Sequence, residues 1–297
     1  MRRDTIYMLG VPLRAGSLYP GSEDDARAFR DVHLVDQLRD VGLEAVDAGN
    51  VAIPSFLPHH AVPPLRNWPA PRIAWDSIAS RLEEFLRQPL CLPLLVGCDC
   101  SVVIASTQAL QRSGASDIHV LYVDGDLDAA APDATQMHSA ASCALWLLTH
   151  ASPFWEGPTL PPDHVTILGP AIDSAPADAA GMRLTTLSDI RKWGPREAAF
   201  RALARIPENA HVLLHFDIDV LQEARFPAAY FPHAHGLSVA EAAELFGVLS
   251  GDPRVRIIEV SEYSELRDQD RTLARSLTEV LTRGLSARGR SKAKIAG

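Results

Sequence analysis

The most chemically loaded stretch of the chain is Ile118–Asp128, IHVLYVDGDLD, where Asp124, Asp126 and Asp128 take alternate positions directly after an apolar run. Side chains two apart in an extended segment point the same way, so the three carboxylates face one small volume. Like charges that close repel unless they are protonated or bridged by a cation, and a divalent metal is the simplest remedy. For an isolated run of this kind, a solvated acidic turn is the plain alternative. The signature recurs elsewhere. Asp217 and Asp219 follow the apolar run Ala210–Phe216, Gly97-Cys98-Asp99-Cys100-Ser101 follows Leu90–Val96, and Glu259 lies at the end of Val255–Val260.

The elements that must position these groups alternate along the chain. Strand patterns fall at Thr5–Leu13, Leu43–Asp47, Leu90–Val96, Ile118–Val123, Val165–Leu168, Ala210–Phe216 and Val255–Val260. Helical patterns fall between them. One is capped by Ser22 or Glu23 with Asp24 and Asp25 in its first turn; others span Trp75–Gln88, His138–His150, Pro195–Arg205, Val239–Leu249 and Leu266–Leu285. The proline-rich stretch Ile53–Arg72 reads as a surface loop, with His59 and His60 solvated. Alternating strands and helices predict one α/β domain over residues 1–297 with a parallel sheet covered on both faces, and a mobile basic tail from about residue 286. In open sheets of this kind ligands sit beyond the carboxyl ends of the strands. Four strands end there in polar clusters, which offers five carboxylates (Asp124, Asp126, Asp128, Asp217, Asp219) and the Cys100 thiol to one crevice. Such an oxygen-rich set suits hard divalent ions, including a shared pair.

Composition narrows the function classes. A net charge of −9 argues against non-specific nucleic-acid binding, which needs a basic face. No apolar run approaches the roughly 20 residues of a membrane span, and the N-terminus opens a strand pattern rather than a signal peptide. A cytoplasmic protein with four reduced cysteines is expected; Cys91 and Cys143 read as core.

Taken in order and spacing, these segments resemble the ureohydrolase family of arginases, agmatinases and formimidoylglutamases, nearly end to end. Gly10-Val11-Pro12 matches the family's opening, and Gly97-Cys98-Asp99-Cys100-Ser101 stands where the family has Gly-Gly-Asp-His-Ser. Asp124-Gly125-Asp126-Leu127-Asp128 stands where it has Asp-Ala-His-x-Asp. Asp217-Ile218-Asp219 matches its second Asp-x-Asp, Glu259-Val260-Ser261 resembles its Glu-x-Asn, and His138 resembles the histidine of its His-Gly segment. The resemblance implies a three-layer α/β/α fold with a central parallel sheet of about eight strands. It also implies two bridged Mn²⁺ ions whose activated hydroxide attacks a guanidinium or amidine carbon. Asp124 and Asp217 would bridge the ions, Cys100 and Asp128 would complete one, and Asp126 and Asp219 the other. Glu259 would hold the guanidinium and His138 would shuttle a proton. Family members are often trimers or hexamers, so a homo-oligomer is implied too.

The chain also departs from that pattern. Cys100 and Asp126 replace the two metal-binding histidines. A thiolate is soft and matches Zn²⁺ or Fe²⁺ better than Mn²⁺, and the added negative charge makes bound water less acidic. One ion or an altered metal is therefore as consistent as a manganese pair. Ala130 and Ser261 replace asparagines that line the family's substrate site. Arginine is thus disfavoured as substrate, and a modified guanidine such as a hydroxyguanidino amino acid fits better. Cys100 as a buried apolar filler and His138 as a helix cap remain open, Asp99 reads as structural, and Glu262 and Tyr263 are left between pocket and solvent. Two functions follow: a metal-dependent hydrolase of a linear C–N bond in a guanidine or amidine, or a non-catalytic homologue that binds a ligand or stabilises a partner subunit. A deacetylase-like hydrolase fits less well.

Overall fold

Ile118–Val123 is buried at every residue, as a strand must be when helices cover both faces of its sheet. The computed structural model describes residues 4–12, 14–18, 23–54, 56–174, 176–222 and 224–290. In chain order it contains β1 (Thr5–Gly10), α1 (Ala26–Asp31), α2 (Leu34–Asp40), β2 (Glu44–Asn50), β3 (His59–His60), β4 (Trp68–Pro69), α3 (Ala70–Leu86), β5 (Cys91–Cys98) and α4 (Val102–Arg112). Then follow β6 (Ile118–Val123), α5 (Ala144–Thr149), β7 (Val165–Leu168), β8 (Arg183–Thr185), α6 (Leu187–Trp193), α7 (Pro195–Leu203), β9 (His211–Asp217), α8 (Val239–Ser250), β10 (Val255–Ser261) and α9 (Thr272–Arg290).

Among the described residues, eight strands form one sheet in the order β2-β1-β5-β10-β9-β6-β7-β8. Every pairing in it is parallel. The pleat divides each strand between two cores. On β6, Leu121 and Val123 pack with Phe29, Phe246 and Leu281 on one side, while Ile118, Val120 and Tyr122 pack with Leu82, Ile104 and Leu145 on the other. The chain leaves β5 through α4 and re-enters at β6, skipping the places later filled by β10 and β9. The crevice therefore opens above four consecutive strands, β5-β10-β9-β6, as the connectivity of open α/β sheets requires.

Several local expectations are corrected. The helix expected at His138–His150 begins only at Ala144. Upstream, Ser139 Oγ accepts from Ser142 N and Ser142 Oγ donates to the Ser139 carbonyl, side-chain bonds that compete with a helical turn. His138 instead lies in an extended bridge beside Leu65. The first helix is interrupted at His33, which has a left-handed φ of 58°. Asp24 and Asp25 precede it rather than sit in its first turn, and Ser22 lies outside the described residues. The expected loop Ile53–Arg72 contains β3, β4 and the start of α3, whose first turn tolerates proline. β8 and α6 escaped the sequence reading, although Thr186 and Asp189 form a full capping box. The closing helix starts at Thr272, not Leu266, and runs to Arg290. Within the expected mobile tail, Arg288 donates to Asp4 and to the Ser250 and Val255 carbonyls; residues 291–297 lie outside the described ones.

Candidate metal centre

Register places the site's polar groups in rows. Tyr122 of β6, His215 of β9 and Glu259 of β10 are cross-strand partners in one row, and Asp217 pairs with Ser261 in a higher row. Residues in such rows project from the same sheet face, here the α3/α4 face. His215 accordingly stacks on Tyr122, with ring centroids 4.2 Å apart and planes 5° from parallel. Its Nδ1 lies 2.7 Å from Glu259 Oε2, and its Nε2 lies 3.0 Å from Ser261 Oγ.

Just above that row the strands end and their loops aim carboxylates inward. Asp217 Oδ1 accepts from Asp219 N at 2.7 Å, and Asp124 Oδ1 accepts from Asp126 N. Each aspartate is thus held by the amide two residues on. The second oxygens face the cluster: Asp217 Oδ2 accepts from the Cys100 thiol at 2.6 Å, while Asp124 Oδ2 is buried with no hydrogen-bond partner among the described residues. Gly125 N donates to Asp219 Oδ1 at 2.9 Å, tying the β6 loop to the β9 loop.

Two groups of donor atoms result, each with its atoms within 4.8 Å of one another: Cys100, Asp124, His215 and Asp217, all buried, and Asp126, Asp219 and His233, nearer the surface. His233 Nε2 lies 3.4 Å from both Asp126 Oδ2 and Asp219 Oδ2. The structure brings together five of the six expected ligands: Cys100, Asp124, Asp126, Asp217 and Asp219. Asp128, at a left-handed φ of 45°, borders the same cavity but falls in neither group. Its Oδ2 accepts from Tyr122 Oη at 2.6 Å.

A cavity of about 190 Å³ opens over the cluster, bordered by Cys100, Asp128, His138, Asp217, Asp219 and Glu262. Glu259 is not on it. It is fully buried beneath, paired with His215, so the guanidinium-holding role expected for it does not match its place. The strand's parity turns Glu259 to the α3/α4 face below the strand ends, beside His215, whereas Glu262, past the strand end at a φ of 58°, is turned to the crevice. Ser261 is likewise buried under the cluster rather than facing the cavity, and Ala130 lines an adjoining hollow with Ser142 and Asp178. His138 does border the cavity, and its Nε2 has no hydrogen-bond partner among the described residues. Tyr263 is core, donating to Asp268, and Asp99 is structural, accepting from the Gly16 and Ser101 amides. His215, His233 and Glu262 are the site residues that the sequence reading missed or left undecided. For His215 a signal existed, since His215, Asp217 and Asp219 alternate.

The electrostatics are those of a cluster short of positive charge. Burial, followed by repulsion among the carboxylates themselves, pushes Asp128, Asp217 and Asp219 well above the ordinary carboxylate range. Burial and then Asp126 push Asp124 to about 6. The Cys100 thiol is pushed well up by burial and by Asp217, and Glu262 to about 8 by burial and by Asp99. Burial and mutual repulsion disfavour the charged forms of these groups, and a divalent ion inverts that balance. With the unpartnered Asp124 Oδ2 and donor sets of sulfur, imidazole and carboxylate, the residues fit divalent metal ions.

The comparisons with known proteins agree with this architecture. The N(omega)-hydroxy-L-arginine amidinohydrolase of Streptomyces lavendulae is 28% identical over 186 residues, a match covering 61% of this chain and 63% of that protein. The chain thus spans less than two thirds of that relative. Arginase from Bacillus subtilis superposes with a TM-score of 0.80 at 20% identity, covering 95% of this chain and 98% of the other. A Mn²⁺-containing structure of formiminoglutamase from Trypanosoma cruzi superposes with a TM-score of 0.76 at 21% identity, covering 96% and 93%. Among the described residues no helix is long and apolar enough to cross a membrane. The model of the arginase family matches residues 4–284, and the chain belongs to that family.

Proposed function

We propose that the chain hydrolyses a linear C–N bond of a small guanidine or amidine, with one or two divalent ions held above β6 and β9. The observation that carries this reading is Glu262. It is 3% exposed, borders the cavity beside the donor groups, and has an Oε2 with no hydrogen-bond partner among the described residues. A buried carboxylate with a free oxygen calls for a cationic, planar donor, and a guanidinium supplies one through charge-assisted bonds. Its other oxygen is steadied by the Cys100 amide, 3.3 Å from Oε1.

In the reaction, water adds to the guanidinium carbon, the bond from that carbon to the substituted nitrogen breaks, and a proton passes to the departing amine. A divalent ion, when bound, supplies a water of lowered pKa and positive charge for the developing negative charge. Asp124, Asp126, Asp217, Asp219 and Cys100 would hold the ions, while Tyr122 fixes Asp128 at the cavity edge. Glu262 would orient the guanidinium, and His138 would carry the proton to the amine through its unpartnered Nε2.

A hydroxyguanidino amino acid is the proposed substrate. The Streptomyces lavendulae relative supports it, as does Ala130, at the adjoining hollow, in place of the family's asparagine. Manganese is the first ion to load, with zinc and iron next; the implied trimer or hexamer belongs to the same proposal. The test is release of urea from arginine and agmatine, of hydroxyurea from N-hydroxyarginine and of formamide from formimidoylglutamate by protein loaded with each ion. Turnover of one, lost in Glu262→Ala, supports the reading. No turnover of any with any ion overturns it.

A further inference from the structure

We propose that histidines from new positions complete two unlike metal sites: His215, aimed by Glu259, joins Cys100, Asp124 and Asp217 around an inner ion, and His233 joins Asp126 and Asp219 around an outer one. The inference rests on the reading of this crevice as a metal-dependent centre, but its readouts need no turnover.

His215 is fully buried and held on three sides. Its ring is clamped against Tyr122, its Nδ1 donates to Glu259 Oε2, and its Nε2 is left within 4.8 Å of the Cys100, Asp124 and Asp217 donor atoms. Metal-ligating histidines nearly always give their second N–H to a carboxylate or carbonyl, which fixes the tautomer and the aim of the other nitrogen. The Glu259–His215 pair has that form. Beside it, Asp124 is 1% exposed and its Oδ2 has no hydrogen-bond partner among the described residues. The Ser261 hydroxyl lies 3.0 Å from Nε2, and the Cys100 thiol donates to Asp217 Oδ2. Glu259 is therefore a positioning residue for a metal ligand.

His233 reaches the outer group because residue 125 has no side chain. A Cβ at Gly125 would fall 2.5 Å from His233 Cδ2 and 3.0 Å from Asp219 Oδ1. Both imidazoles add a donor without adding negative charge, which eases the crowding of carboxylates. The inner set has sulfur, nitrogen and two carboxylates and is buried at the floor of the cavity. The outer set has one nitrogen and two carboxylates, with Asp126 56% exposed. Soft, buried donors favour Zn²⁺ or Fe²⁺ and the harder set favours Mn²⁺, so the pair is expected to hold unlike ions.

The experiment counts ions and reads cobalt absorption on the full chain, since Co²⁺ bound by a thiolate gives a charge-transfer band. Wild-type protein is expected to bind two Co²⁺ and show the band. His215→Ala should lose one ion together with the band, and His233→Ala should lose one ion and keep it. Glu259→Gln should keep both sites at saturation but bind the inner ion about 10- to 100-fold more weakly. Because His215→Ala removes a buried side chain, X-ray absorption of the wild-type zinc form is the second measurement, with mixed sulfur and imidazole scattering expected. Two ions held at wild-type affinity in both histidine variants, or zinc scattering without sulfur, overturns the inference even if a guanidine is hydrolysed. Histidine-dependent binding with no turnover of any guanidine leaves it standing and removes the hydrolase reading. No bound ion in the wild type overturns both.

Discussion

Cys100 Sγ lies 2.6 Å from Asp217 Oδ2 across a sequence separation of 117 residues, so the loop after β5 and the end of β9 meet through a thiol and a carboxylate. The thiol is buried and held protonated by that burial and by Asp217. In metal-free native protein near neutral pH none of the four buried cysteines should react quickly with an aromatic disulfide reagent, and all four should react once the chain is unfolded. Rapid reaction of one thiol before unfolding would contradict the closed geometry. Cys100→Ser should retain the fold and the bond to Asp217 while weakening Zn²⁺ binding about tenfold or more and leaving Mn²⁺ binding less changed, as competition titrations would read.

Glu262 and Glu259 are expected to behave differently, because one borders the cavity and the other lies beneath it. With the Proposed substrate class, Glu262→Gln should raise KM about 10- to 100-fold, the worth of a charged hydrogen bond of about 1.5–3 kcal/mol, with unchanged metal content. Unchanged KM in that variant would remove Glu262 from the substrate site.

Asp99 organises the approach to the cluster without being part of it. Its Oδ2 accepts from Gly16 N and its Oδ1 from Ser101, whose Oγ in turn accepts from Trp75 Nε1. Asp99→Ala should lower the unfolding free energy by about 2–4 kcal/mol by leaving buried donors unpaired. Gly16→Ala should also destabilise, since a Cβ there would fall 2.1 Å from Ser101 Oγ. Denaturant titrations of the metal-free proteins check both; loss below about 0.5 kcal/mol would mean the loop repacks freely.

A pH-dependent contribution is expected far from the cluster, where Arg254 joins the turn before β10 to the end of α7. It donates to both Asp252 oxygens and to the Leu203 and Ile206 carbonyls. Burial alone would raise Asp252, but the hydrogen bonds and charge of Arg254 outweigh it and hold the carboxyl below its ordinary value of 3.8. A depressed carboxyl stabilises above its unfolded value, and that stability is lost as pH falls through the folded one. Asp252→Asn should therefore cost about 1–2 kcal/mol near neutral pH, a difference that closes as pH falls through the depressed folded value of Asp252. A difference independent of pH would assign the effect to packing instead.

Much of this was legible along the chain. Buried strands show as apolar runs, and the alternation of Asp124, Asp126 and Asp128 after Ile118–Val123 already implies convergent carboxylates. The strand-end clusters and their order likewise carried the family's fold, and the eight-stranded sheet has the expected layers. His215 was legible too, two residues before Asp217 on the same face, but it was masked by the apolar run around it.

What tertiary structure alone decided is which of these residues are neighbours. A parallel sheet pairs strands through crossovers, so nothing local in the sequence states that β10 lies between β5 and β9. That adjacency sets Glu259 beside His215 in the same row and makes it a partner of the histidine rather than of a ligand in the cavity. Glu262 owes its place to a left-handed φ one residue beyond the strand, a turn that side-chain periodicity does not encode. His233 sits in an irregular loop with no period to read, and reaches Asp126 and Asp219 only because Gly125 leaves room for it. Chemistry-bearing residue types are a local property of the chain; their assignment to ligand, orienting partner or substrate contact depends on non-local register, which only the folded sheet supplies.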